Sequence, residues 1–156
     1  MIKKTISIFS LLIFLFVFQP SNAQCKKNNT AFASGESIEY DLYFNFGLFR
    51  ARAGKGSLSI TEAKYRGENS LKTVMLLNTS GLAGNIYSVN DTLTSYIDKD
   101  MRPLLFTKEA HEGSDYSIER QSYTYEGNKI KIRSLRNFNG EERFDEVFES
   151  DKCTYD

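Results

Sequence analysis

The chain has 156 residues, with 20 basic and 20 acidic side chains, one histidine, two cysteines and no tryptophan. Without Lys3 and Lys4, which belong to an N-terminal leader, the balance is 18 basic against 20 acidic. That leaves no basic excess to neutralise a phosphate backbone, so nucleic acid is excluded as a partner. One histidine and two distant cysteines are too few for a zinc centre, and neither a metal nor a cofactor is expected.

Lys3 and Lys4 form a positive start, Ile6–Phe18 is apolar apart from two serines, and Pro20 closes the run. Ser21-Asn22-Ala23 then offers small residues at the −3 and −1 positions of a cleavage site. An apolar run of about 13 residues is shorter than the roughly 17–25 needed to span a bilayer. Residues 1–23 are therefore expected to be a cleaved secretory signal peptide, and the protein periplasmic. Gln24 directly before Cys25 is the wrong residue for lipid attachment, which argues against a lipoprotein. Residues 24–34 make a lead, and residues 35–156 make a single β domain with no transmembrane segment in the mature chain.

In chain order, the first element is the clearest. "ESIEYDLYFNF" puts Ile38, Tyr40, Leu42, Phe44 and Phe46 on one face and Glu39, Asp41, Tyr43 and Asn45 on the other. Next, "GLFRARAGKGS" resembles a phosphate-binding loop, but the glycine spacing is wrong and a strand follows instead of a helix. Its apolar residues Phe49, Ala51 and Ala53 have odd numbers, whereas Leu58 and Ile60 have even ones. One extra residue must be absorbed between them, and Gly54 and Gly56 are the expected bulge or bend. Arg50, Arg52 and Lys55 then face solvent.

"LSITEAKY" and "LKTVMLLNTS" read as strands around a turn at Arg66–Asn69. Residues 81–88 break the rhythm as a loop or a single helical turn. Strands resume at "TLTSYID", "LLFTKEAH", "YSIERQSYTY", "KIKIRSLR" and "ERFDEVFES", separated by Gly-rich and Asn-Gly turns. The expected fold is mostly β: one antiparallel, strongly curled sheet or partly open barrel of about eight strands, with little helix. In the last hairpin Lys129, Lys131, Arg133 and Arg136 on one arm face Glu141, Glu142, Asp145, Glu146 and Glu149 on the other. This reads as solvated cross-strand pairing.

Polar candidates for catalysis are weak. His111 beside a turn has no triad or metal partners, and Glu39 and Asp41, spaced like a carboxylate pair, fall on the outward face. Cys25 and Cys153 lie near the two ends of the mature chain and could be joined by a disulfide in an oxidising compartment. Closing a loop of that length would stabilise by about 4–5 kcal/mol; two free thiols are the alternative. The aromatic side chains of the strands either fill a core or line an apolar cavity, if the sheet curls around a hollow.

The segment "AFASGESIEYDLYFNFGLFRARAGKGSLSI", with "YSVNDTLTSYIDKDMRPLLFTKEAHEG" and the closing "CTYD", resembles a family of exported bacterial proteins. It is catalogued as domain of unknown function 3108. Gly35-Glu36, Tyr40, Ala53-Gly54, Asp91 and Pro103 stand at matching places. The resemblance implies an envelope protein whose relatives continue past Asp156, so that further strands would follow; it implies no catalytic residue.

The combined expectation is a non-enzymatic envelope protein binding an apolar or amphipathic, lipid-like molecule on a concave aromatic face. Tyr40, Leu42, Phe44 and Phe46 are the lining residues. The alternative is an assembly module that pairs its exposed sheet edges with another envelope protein.

Overall fold

Alternation with period two is converted into strands almost throughout. A computed structural model describes residues 28–153. Its elements are β1 (Ser37–Phe46), β2 (Phe49–Tyr65), β3 (Glu68–Thr79), α1 (Gly81–Ile86), β4 (Val89–Ile97), β5 (Pro103–Glu112), β6 (Asp115–Glu126), β7 (Lys129–Phe138) and β8 (Glu141–Ser150). The strands form one antiparallel sheet in sequence order, with β1 and β8 at its two edges. The eight-stranded, mostly β and unclosed sheet expected from the sequence is the fold observed.

Short turns set the register. Asn139 and Gly140 both take positive φ, 50° and 83°, as a two-residue hairpin turn demands if it is to follow the twist of its strands. "GLFRARAGKGS" is not a loop: from Phe49 it belongs to the continuous 17-residue β2. The β1–β2 register slips between Leu42 and Tyr43, which pair with Gly54 and Arg52 and leave Ala53 as the extra residue. The irregularity thus falls one residue before Gly54. At Gly54 itself β2 and β3 approach so closely that an added Cβ would lie 2.0 Å from the Asn78 carbonyl oxygen. Only glycine fits there.

Residues directly paired across antiparallel strands point to the same face, so the register divides the sheet. One face collects Ile60, Ile97, Pro103, Ala110, Tyr123 and Ile130, all buried. Among the described residues no second layer packs on it, so the sheet must curl over its own side chains to bury them. This is the inner face. The outer face carries the charged pairs of the last hairpin, Lys129 Nζ to Glu149 Oε2 at 3.0 Å and Arg133 Nε to Asp145 Oδ1 at 2.8 Å.

The loop between β4 and β5 is fixed by one buried carboxylate. Asp98 Oδ1 accepts the backbone N–H groups of Asp100 and Arg102, each at 2.9 Å, and its Oδ2 accepts Arg102 Nε at 2.7 Å. The Arg102 guanidinium lies over the Tyr125 ring, 4.7 Å from its centroid, and the Tyr125 hydroxyl donates to the Pro103 carbonyl at 2.8 Å.

Candidate functional site

The candidate site is the inner face. Ile38, Tyr40, Leu42 and Phe44 reach it from β1, because they pair with Leu58, Gly56, Gly54 and Ala51. The register of β2 with β3 continues the row through Gly56 to Leu77, and that of β3 with β4 continues it to Asp91. Gly56 has no side chain to stand between Tyr40 and Leu77. The apolar side chains of β1 remain open: Tyr40 is 47 % and Phe44 60 % exposed. Phe46 pairs with Phe49 at the hairpin end, and its side chain lies outside the described residues.

Ionic groups occupy the middle of the same face. Lys108 on β5 pairs with Glu119 on β6, which pairs with Arg136 on β7. The row therefore runs plus, minus, plus across three strands. Lys108 Nζ reaches Glu112 Oε1 at 3.4 Å and Asp91 Oδ2 at 3.8 Å, and Arg136 Nε lies 3.4 Å from Glu119 Oε1.

Asp91 is only 4 % exposed, and its Oδ1 has no hydrogen-bond partner among the described residues. Burial pushes its carboxyl above the ordinary range; the Lys108 ammonium pulls the other way, and the neighbouring Glu112 adds to the rise. Arg136, grouped by its sequence position with the solvated hairpin charges, faces inward against Glu119 instead. The reason is parity: Lys129, Lys131 and Arg133 point outward, and an even-numbered residue of that strand points the other way.

The remaining sequence candidates lie elsewhere. Glu39 and Asp41 are exposed on the outer face, where Asp41 is bonded to Arg52. His111 is also outside, stacked on Tyr116 with ring centroids 4.3 Å apart. Arg50 and Lys55 are exposed, Arg50 lying over the Tyr43 ring at 4.3 Å. Cys153 is partly buried just after β8, and Cys25 lies outside the described residues. Among the described residues no group of three or more His, Cys, Asp or Glu could hold a metal ion. No described helix is long and apolar enough to cross a membrane.

Nothing local in the sequence marks Lys108 and Glu119, or the inward orientation of Arg136, although the turns contain the signal. A two-residue turn at Gly113-Ser114 reflects Lys108 onto Glu119, and one at Gly127-Asn128 reflects Glu119 onto Arg136.

No curated protein and no solved structure matches the chain. The family described as "Protein of unknown function (DUF3108)" matches residues 39–156, and the chain belongs to that family.

Proposed function

We propose that this is an exported, non-enzymatic protein of the bacterial cell envelope that holds an amphipathic molecule on the inner face of its sheet. The observation that carries the reading is the exposure of Tyr40 and Phe44 on the same face as a central row of charges. A purely structural core would bury those rings, since an aromatic side chain supplies 150–250 Å² of surface to whatever it packs on. A lipid-like ligand would place its apolar part against Tyr40, Leu42 and Phe44 and turn its polar part toward Lys108 and its carboxylate neighbours. Secretion to the periplasm, directed by residues 1–23, and a disulfide between Cys25 and Cys153 belong to the same proposal.

Native mass spectrometry after gentle purification, followed by titration with a fluorescent fatty acid, tests it. Saturable binding that weakens about tenfold or more in Tyr40→Ser/Phe44→Ser is expected, on the scale of burying one large apolar side chain. A protein with no co-purifying ligand and no saturable uptake of the probe would sink the idea.

A second reading has its own observation. β8 is an edge strand, exposed at every residue from Glu141 to Glu149. Such an edge offers unpaired backbone donors and acceptors to a partner strand. In that case crosslinking would capture one envelope protein on β8, and mutations of the β1 aromatics would leave the complex intact.

A further inference from the structure

The two ends of the sheet are chemically different. The turns at Arg66–Gly67, Asp98–Arg102 and Gly127–Asn128 share one end and carry no large exposed apolar side chain. At the opposite end Leu48 is 102 %, Leu82 80 % and Ile86 86 % exposed, with Tyr87 also exposed.

These residues protrude from one place. The pairing of β2 with β3 stops at Gly54 and Thr79, while β1 and β2 run on together to Phe46 and Phe49. The hairpin tip that bears Leu48 therefore overhangs the sheet. Helix α1 starts directly after Thr79 and lies beside that overhang: the Ser80 N–H donates to the Ala53 carbonyl at 2.9 Å. Thr79 Oγ1 accepts the Val89 N–H at 2.8 Å and ties the return of the chain to the same spot. Leu82 and Ile86, four residues apart, stand on one face of the helix.

The two segments that build the overhang carry charge of one sign, whereas Glu112 and Asp115 flank the β5–β6 turn beyond Tyr87, where the Gly113 N–H donates to the Ser88 carbonyl at 2.7 Å. Residues 42–56 and 76–90 contain Arg50, Arg52 and Lys55 and no carboxylate, in a chain with equal numbers of acids and bases. Arg52 is bonded to Asp41, just outside these segments. Arg50 and Lys55 are exposed at the root of the overhang, and Tyr43 and Tyr87 are exposed beside them.

Protruding aliphatic side chains, cations on the β1–β2 side of them and tyrosines at the boundary are the chemistry of a protein that lies on a bilayer surface. A protein-binding patch is different: it centres on aromatic or arginine anchors that sit in well-packed pockets. We infer that this end of the sheet docks on an anionic lipid surface. Leu48, Leu82 and Ile86 enter the boundary between headgroups and acyl chains, and Arg50 and Lys55 face the lipid phosphates. Docking stands independently of ligand binding on the inner face, since Leu48 and α1 contribute nothing to that face's ionic row.

Co-sedimentation with vesicles decides it, using wild type and variants that share the same N-terminus so that any contribution of residues 1–23 cancels. Wild type is expected to partition onto vesicles of phosphatidylglycerol and phosphatidylcholine more strongly than onto phosphatidylcholine alone. Leu48→Ser/Leu82→Ser/Ile86→Ser should lower that partition coefficient at least about tenfold, the loss expected when even one large apolar side chain is no longer buried. Arg50→Gln/Lys55→Gln should lower it about fivefold per cation at low ionic strength.

All these positions are exposed, so unchanged circular dichroism and melting temperature are expected in both variants. A control, Val147→Ser on β8, should bind as wild type does. The proposal is overturned if wild type ignores the vesicles, if it binds both kinds equally, or if the triple variant binds like wild type. It is equally overturned if wild type sediments as a dimer without vesicles and the triple variant as a monomer, because the surface would then join two copies of the chain.

Discussion

The central strands and the edge strands use the same alternating pattern to opposite ends. On β4 to β7 the inner face holds the buried side chains Asp91, Ile97, Pro103, Ala110, Tyr123 and Ile130, with Tyr123 at 3 % exposure; on β8 Phe148, which pairs with Ile132, remains 50 % exposed. Electrostatics divide along the same line. In the centre, burial raises the carboxyl of Asp91, whereas on β8 the hydrogen bonds from Arg133 and Lys129 hold Asp145 and Glu149 below the usual carboxylate range. A one-layer sheet can cover only what its own curl reaches, so its middle becomes the core and its margins keep apolar surface available. The packed core therefore belongs to the middle strands, and the surface proposed for recognition belongs to the margins of the same sheet.

The largest effect that would break this comparison is expected at Tyr123. It is buried on the inner face, and its hydroxyl donates to Gln121 Oε1 at 2.8 Å. Tyr123→Ala should destabilise by about 3–5 kcal/mol, the range for removing a large buried aromatic side chain. Urea unfolding would measure it. A loss below about 1 kcal/mol would mean that the centre is no better packed than a solvated surface site.

How much of this was legible depended on whether the signal was local. The alternation from Ile38 to Phe46 fixes β1 and its inner face within a single strand, and the parity switch between Ala53 and Leu58 announces an extra residue. Neither shows which residue will be extra, because Ala53 and Gly54 can both be accommodated until β3 arrives. The close approach of the Asn78 carbonyl then settles it. The ionic row is non-local. Lys108, Glu119 and Arg136 lie on three strands, and each alone looks like a solvent-facing charge. They meet only because two tight turns set the register across β5, β6 and β7. Openness of the aromatic face was not legible either, since the same Tyr40 and Phe44 would read identically under a covering layer.

A smaller effect, at Asp91, sharpens the electrostatic half of the comparison. A carboxyl whose folded-state pKa is raised favours the folded protein below its ordinary value of 3.8 and loses that contribution as pH rises through the raised value. Asp91→Asn removes this group from the titration. Stability of wild type relative to Asp91→Asn should therefore fall as pH rises from about 3.8. Asp145 and Glu149, with lowered values, work in the opposite sense and favour the fold until pH drops through them, but they are present in both proteins and cancel. Melting temperatures of the two proteins across acidic pH check this. A constant difference would remove the claim that Asp91 is desolvated.

The smallest effect is expected at the margin. Phe148 faces inward but lies half in water on the edge strand. Replacing it by serine forfeits only the part of its surface already covered, and exchanges the rest for a side chain that water solvates well. Phe148→Ser should therefore lower unfolding free energy by about 1–1.5 kcal/mol, half of what full burial of such a ring contributes and well short of the loss at Tyr123. The same urea titration used for Tyr123→Ala measures both, on one sheet face and with one ring removed in each case. If Phe148→Ser cost as much as Tyr123→Ala, the edge would be part of the core, and the division of labour between centre and margin would not hold. If it costs no more than about 1.5 kcal/mol, the uncovered half of the Phe148 ring contributes nothing to folding and stays available to a partner.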